Sequence, residues 1–331
     1  MLTGSAVDIR SLLRSGDVIE IGTRPEHGTS TRHSRAAIVA GFAAIYLVWG
    51  STYLGIRYAV ETIPPLLMMA IRHSTAGVLV YAWARTRGAA APTRKQWGYA
   101  IVTGAMLFLA GHGALAWAEQ KVPSGLAALL CATLPLWTVL LGRINGAERK
   151  LGAKAWAGIL LGFAGVGVLI GPDALHQTGT LTLIGAAAAI FSAFAWAAGT
   201  IYSKGVRLPE STVVSAAMQM LTGGAWLFLL AFVSGEAAHV HLATVSLRSV
   251  LALAYLTVFG SIVAFTVFTW LLTVASPSHV STYAYVNPVV AVFIGWALAG
   301  EQIGLHTIAA TIIILASVAL VNTAMKPTPS H

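Results

Sequence analysis

The feature that most constrains this chain is a series of apolar runs, each about 20 residues long, that starts at residue 36. A helix needs about 20 mostly apolar residues to cross a bilayer. Ten runs have this character: 36–56, 65–84, 97–118, 123–142, 154–171, 180–202, 212–233, 249–273, 277–299 and 304–324. They lack the alternation of apolar and polar residues that is typical of a transmembrane strand. The pattern therefore predicts an all-α membrane protein with ten transmembrane helices.

Composition excludes the other broad classes of protein. Apolar residues make up 57% of the chain and charged residues only 9%, whereas a soluble domain has roughly 25% charged residues. Soluble enzymes, disordered regulators and fibrous proteins are poor interpretations of such a sequence. The single cysteine, Cys131, excludes an intrachain disulfide and a cysteine-based metal cluster.

The net charge is +9. Basic residues in the short segments between transmembrane helices set the orientation in the membrane, so the charge is explained without a nucleic-acid partner and none is expected. With the N-terminus inside, 16 of the 20 Lys and Arg residues lie on the inner side. Basic residues favour the cytoplasmic side, so both termini should be cytoplasmic. Residues 1–35 should form a disordered cytosolic tail rather than a signal peptide, and 325–331 a short cytosolic tail.

The two halves of the chain resemble each other. At an offset of 153 the matched pairs are Trp117 with Trp270, Pro135 with Pro288, and Glu148 with Glu301, and at 147 Trp49 matches Trp196. These pairs predict two five-helix domains, 36–171 and 180–324. Because five is odd, the second half enters the membrane from the opposite side, which gives inverted repeats. In carriers with inverted repeats, the solute binds near the bilayer midplane between the halves.

Several motifs in order resemble the EamA-type members of the drug/metabolite transporter superfamily, and the YedA-type subgroup is especially similar. The motifs are Trp49-Gly50-Ser51-Thr52-Tyr53, Pro64-Pro65, Ala118-Glu119-Gln120, Val122-Pro123-Ser124-Gly125 and Ser281–Val290. The resemblance implies an inner-membrane carrier that exports amino acids, related metabolites or toxic compounds. It also implies a central cavity lined by the first, third, fourth, sixth, eighth and ninth helices, with the second helix towards the periphery.

Six residues are candidates for binding the solute: Trp49, Tyr53, His112, Trp196, Tyr283 and Asn287. Trp49 and Tyr53 are four residues apart and share a helix face, as do Tyr283 and Asn287. The two aromatic side chains of the first helix form either a cavity wall or part of an interfacial aromatic belt.

Ionisable residues inside the apolar runs are candidates for coupling, because a charge in the membrane is expensive. His112 and Glu119 are predicted to couple transport to protons, the alternatives being a structural histidine and a solvated carboxylate at the outer mouth. Arg72 either neutralises a solute carboxylate or is structural. A peripheral second helix favours the structural role for Arg72, and His73 should point elsewhere.

Pro135 and Pro288 are predicted to be hinges, since proline removes a helical hydrogen bond, although an ordinary kink is the alternative. His239 and His241 make a poor metal site because no acidic residue stands beside them. We therefore expect no metal and no cofactor. The sequence lacks the common motifs of hydrolases, metalloproteases and nucleotide-binding loops, so an enzyme is not expected.

These observations predict a secondary transporter that exports amino acids or related small metabolites by alternating access. Proton antiport and facilitated exchange fit the sequence equally well. A drug or toxic-compound exporter of the same fold is the main alternative. A membrane-embedded enzyme and a channel are less consistent with the pattern. The expected partners are the lipid bilayer, a small solute and protons, and the carrier would be a monomer or a homodimer.

Overall fold

A computed structural model describes residues 34–121, 127, 130–144, 152–170, 180–239, 242–299 and 304–324. Nearly all of the predicted N-terminal tail and the whole C-terminal tail lie outside these ranges. So do the Val122-Pro123-Ser124-Gly125 motif, the paired Glu148 and Glu301, and His241.

The described residues form helices and turns, with no strand among them. The α-helices are α1 (Arg35–Ala59), α2 (Pro65–Thr86), α3 (Arg94–Gly104), α4 (Ala114–Glu119), α5 (Leu134–Ile144), α6 (Ala153–Ile170), α7 (Thr180–Gly205), α8 (Thr212–Val233), α9 (Leu247–Tyr255), α10 (Ala264–Val274), α11 (Pro277–Val280), α12 (Tyr283–Ala299) and α13 (Leu305–Ala324). These helices fall on the predicted apolar runs.

Six helical segments in the described ranges are long and apolar enough to cross a membrane: Arg35–Ala59, Pro65–Thr86, Arg94–Glu119, Leu183–Gly205, Thr212–Val233 and Leu247–Val274. Large apolar side chains are exposed on the outside of the helices, among them Ile144, Leu247 and Leu305. Contiguous apolar surface of this kind is costly in water and suits lipid. The prediction of an all-α membrane protein is confirmed.

Two π-helices interrupt the third and eighth apolar runs, and sequence analysis did not predict either. The first, π1, covers Ala105–Gly113 between α3 and α4, and the second, π2, covers Leu256–Val263 between α9 and α10. An offset of 153 places the first segment on 258–266, which overlaps the second. π-Helical turns are rare in proteins, and those that occur are often found at functional sites.

The start of α2 is held by a distant carboxylate. Pro65 occupies the first turn of α2, where a missing N–H costs little. Glu236 Oε1 accepts hydrogen bonds from Leu66 N at 2.7 Å and Leu67 N at 3.2 Å. A carboxylate at a helix N-terminus satisfies free N–H groups and complements the helix dipole. This contact fixes α2, and with it Arg72, relative to the segment that follows α8.

Glycines allow the helices to approach closely. A Cβ built on Gly50 of α1 would lie 2.5 Å from Val290 Cβ of α12, and one built on Gly158 of α6 would lie 2.8 Å from Val321 Cγ2 of α13. The central core contains an aromatic group drawn from both halves of the chain: Trp49, Phe108, Trp196, Phe265, Phe268 and Tyr283.

Candidate functional site

One cavity of about 90 Å³ brings together all six predicted solute-binding residues: Trp49, Tyr53, His112, Trp196, Tyr283 and Asn287. Their helices are α1, π1, α7 and α12, so the wall is assembled from segments far apart in the sequence. Thr52, Cys131 and Ser192 also line it and were not predicted from the sequence. Their small side chains gave no signal within apolar runs.

Aromatic rings form most of the cavity wall. The ring centroid of Trp49 lies 4.6 Å from that of Tyr283 and 5.9 Å from that of Trp196. Trp49 Nε1 donates a hydrogen bond to Gly260 O in π2 at 2.9 Å. Trp49 is only 7% exposed, so it does not belong to an interfacial belt. The hydrogen bond and the ring contacts fix the orientation of its indole.

Asn287 supplies an unused polar atom. Its side chain is 4% exposed, and its Oδ1 has no hydrogen-bond partner among the described residues. A buried polar atom without a partner is unfavourable. Because Asn287 lines the cavity, a solute that offers a hydrogen-bond donor would satisfy this atom.

Arg72 lies in the cavity wall rather than at the periphery of the fold. Its side chain is 2% exposed, and Nε donates to Ser261 Oγ of π2 at 2.8 Å. Within the described ranges no carboxylate lies within ion-pair distance of its guanidinium. A buried charge is strongly unfavourable unless it is paired. The structure therefore differs from the expectation that the second helix is peripheral, because α2 turns this face towards π2.

His73 and His112 form a direct pair, contrary to the expectation that His73 points elsewhere. The distance between His73 Nε2 and His112 Nδ1 is 2.9 Å, and the two ring planes are 22° apart with centroids separated by 5.0 Å. His73 Nδ1 also lies 3.3 Å from Ser261 Oγ. His112 is tilted against Trp196, with ring centroids 4.6 Å apart. Only His112 of the two histidines lines the cavity.

Glu119, the second candidate for proton coupling, lies beside the cavity instead of in its wall. It is close enough to Tyr53 and Cys131 for electrostatic interaction. Its Oε1 is buried and has no hydrogen-bond partner within the described part of the chain. The residue as a whole is half-buried, so the alternative of a solvated carboxylate is not tested by the burial of this one oxygen. Its role in coupling stays a prediction.

The two prolines occupy different positions in their helices. Pro135 lies in the first turn of α5, and Pro288 lies inside α12. A proline leaves the carbonyl four residues earlier without its helical donor. For Pro288 this carbonyl belongs to Ala284, which lines the cavity, whereas Pro135 is in the first turn of its helix, where the missing N–H costs little. Whether the prolines act as hinges stays a prediction.

No group of three metal-ligating side chains occurs in the residues that the structure describes. His239 is described only in its backbone, and its sequence neighbour His241 lies outside the described ranges.

Comparison with known proteins identifies the group to which this chain is similar. The sequence profile of the EamA-like transporter family matches residues 36–171 and again 183–323. The uncharacterized inner membrane transporter YedA of Escherichia coli strain K12 is 38% identical over 264 residues, covering 78% of this chain and 82% of YedA. The uncharacterized transporter YvbV of Bacillus subtilis is 25% identical over 293 residues, covering 88% and 93%.

A solved crystal structure has the same fold. It superimposes with a TM-score of 0.71 at 22% sequence identity, over 88% of this chain and 99% of the other. Both profile matches contribute to the cavity wall. Three of its six predicted residues come from the first match (Trp49, Tyr53 and His112) and three from the second (Trp196, Tyr283 and Asn287).

Proposed function

This chain belongs to the EamA-like transporter family and is a multi-pass inner-membrane transporter rather than an enzyme, and we propose that it exports amino acids or related small metabolites. The observation that carries the proposal is the cavity between the two family segments, whose wall combines buried aromatic rings with a few polar groups. Small-molecule sites are typically concave and largely apolar, with a small number of placed polar groups.

Alternating access would follow from two inverted repeats. The proposed architecture has ten transmembrane helices in two five-helix domains, 36–171 and 180–324, with both termini in the cytoplasm. Two observations support it: the family profile matches the chain twice, and the two π-helices occupy overlapping places in the two halves. Rocking of one half against the other would expose the cavity first to one side of the membrane and then to the other.

The chemistry of the cavity suits an amino acid better than a purely lipophilic drug. The guanidinium of Arg72 is a cation without a carboxylate partner in the described ranges, and Asn287 Oδ1 is a free acceptor. The faces of Trp49 and Trp196 attract an ammonium group as well as apolar side chains. A zwitterion with a small apolar side chain offers a partner to each of these groups.

The test of this function is solute flux in proteoliposomes that contain the purified full chain. We would load a labelled panel of amino acids, small amines and lipophilic cations, with and without an imposed pH gradient. We expect the amino-acid flux to exceed that of empty vesicles. Flux that rises with the gradient would support coupling through His112 or Glu119, and equal flux would indicate facilitated exchange. Flux confined to lipophilic cations would instead establish a drug exporter and overturn the proposal.

Asn287→Ala is expected to lower amino-acid flux about tenfold, because it removes one buried hydrogen bond to the solute, worth about 1.4 kcal/mol. Thr103→Ala is the matched control. Thr103 is also buried, but its hydroxyl bonds only to carbonyls of its own helix and it does not line the cavity. Equal flux in both variants would remove Asn287 from the binding site.

The double variant Pro135→Ala and Pro288→Ala is expected to lower the maximal transport rate about tenfold while leaving half-saturation nearly unchanged. Alanine at position 288 restores the hydrogen bond to the carbonyl of Ala284, worth about 1.4 kcal/mol, and alanine at both positions removes the fixed φ angle of proline. Pro65→Ala is the control, since Pro65 occupies the first turn of α2, where proline breaks no hydrogen bond. A wild-type rate in the double variant would exclude the hinge role.

A further inference from the structure

A chain of hydrogen bonds connects Arg72 to His112 through Ser261 and His73. Arg72 Nε lies 2.8 Å from Ser261 Oγ, which lies 3.3 Å from His73 Nδ1. His73 Nε2 in turn lies 2.9 Å from His112 Nδ1. The chain uses α2, π1 and π2, and both of its ends, Arg72 and His112, line the cavity.

The direction of this chain follows from the chemistry of its members. A guanidinium can only donate, so Ser261 Oγ accepts from Arg72. The only acceptor that the described residues offer to the hydroxyl proton of Ser261 is His73 Nδ1. A neutral imidazole has one donor and one acceptor nitrogen. A proton on Nε2 of His73, donated to His112 Nδ1, satisfies every step of this chain.

The last step fixes what His112 presents to the solute. Since its Nδ1 accepts from His73, its proton is on Nε2. The described residues offer Nε2 no hydrogen-bond partner, and the imidazole lines the cavity. The cavity thus receives an N–H donor from His112 and a cation from Arg72. Neither group can accept a hydrogen bond from a solute in this arrangement, so together they suit an anion.

We propose that Arg72 and His112 bind the carboxylate group of the transported solute, and that Ser261 and His73 are positioning residues that keep His112 in its donor tautomer. This inference rests on the proposed function and deepens it, because it restricts the substrates to those that carry a carboxylate. A guanidinium and an imidazole N–H provide charge-assisted hydrogen bonds to the two carboxylate oxygens. The ammonium and side chain of the solute are then left to Asn287 and the aromatic rings.

The tautomers can be measured without knowing the solute. The full chain, labelled with ¹⁵N in histidine and reconstituted in lipid, would be studied by solid-state NMR, which separates protonated from unprotonated ring nitrogens. Resonances would be assigned by their loss in His73→Gln and His112→Gln. We expect Nε2 to be protonated and Nδ1 unprotonated in both residues. Protonation of Nδ1 in either histidine would overturn the proposed direction.

The carboxylate site can be tested in the same samples with acetate, using the isosteric acetamide as the comparison. Acetate is expected to shift the His112 Nε2 resonance, and acetamide is not. Arg72→Met should abolish the acetate effect. Ser261→Ala should weaken acetate binding at least tenfold, whereas Ser261→Thr should restore it. Thr257→Ala is the matched control in π2, since the Thr257 hydroxyl bonds only to Leu253 O of its own helix.

The outcomes separate this inference from the proposed function. An acetate effect that depends on Arg72 would support the carboxylate site even if the flux panel revealed no amino-acid transport, which would overturn the proposed function alone. Amino-acid flux together with equal responses to acetate and acetamide would overturn the carboxylate site alone. Transport of an amino-acid amide as fast as its parent acid would also count against it.

Discussion

Replacing Trp49 by alanine is expected to lower solute flux at least a hundredfold and the free energy of unfolding by about 3 kcal/mol. The indole packs against Trp196, Phe268 and Tyr283, and its removal opens the cavity wall. The substitution also removes the hydrogen bond that Nε1 donates to Gly260 O in π2. Flux in proteoliposomes and unfolding in detergent would measure the two effects separately.

Two further variants separate the causes of this effect. Trp49→Phe keeps an aromatic ring but not the hydrogen bond, so it should retain more flux than the alanine variant. Trp226→Ala is the matched control, because Trp226 Nε1 donates to Ile101 O, while the residue does not line the cavity. If Trp49→Ala destabilised the protein but transported solute at the wild-type rate, Trp49 would be a packing residue only.

Gly50→Ala is expected to have the second largest effect, because α1 and α12 touch at this glycine. The added Cβ would lie 2.5 Å from Val290 Cβ and 3.3 Å from the Asn287 carbonyl oxygen. The Cβ atom of Val290 and the carbonyl oxygen of Asn287 cannot move away by a side-chain rotation. The two helices α1 and α12 must therefore separate. Overpacking of this kind costs about 1–3 kcal/mol. Separation also moves Asn287, so flux should fall at least tenfold.

The same substitution at Gly98 provides the control. Gly98 is helical, and a Cβ built there would meet nothing within 4 Å. Gly98→Ala should therefore leave flux unchanged and stabilise α3 slightly, since alanine has the higher helix propensity. Combining Gly50→Ala with Val290→Gly removes the side chain that the new Cβ would meet, so the double variant should recover part of the flux. No change in the single Gly50 variant would show that the α1–α12 contact yields easily.

The helices could be predicted from the sequence because each corresponds to an apolar run that is long enough to cross a membrane. The prediction of 212–233 coincides with α8, and that of 65–84 differs from α2 only at its end. The π-helices could not be predicted. A π-turn differs from an α-turn in main-chain hydrogen bonding, and the apolar residues of π1 and π2 are compatible with both.

The cavity residues could be predicted where a large aromatic, polar or ionisable side chain interrupts an apolar run, as at Trp49, Asn287 and His112. The position of a side chain cannot be predicted from an apolar run where it depends on which face a helix turns to its neighbours. The predictions of a peripheral second helix, and of a His73 that points elsewhere, differ from the structure for this reason. The side chains of Arg72 and His73 both meet Ser261, a small residue whose importance only the fold reveals.

The overlapping π-helices bear on the history of the chain. A π-turn accommodates an extra residue in a helix, so it tends to mark an old insertion. Two such turns at overlapping places in the two family segments are what duplication of one half that already contained the insertion would leave. His112 stands in the first of these turns and Ser261 in the second.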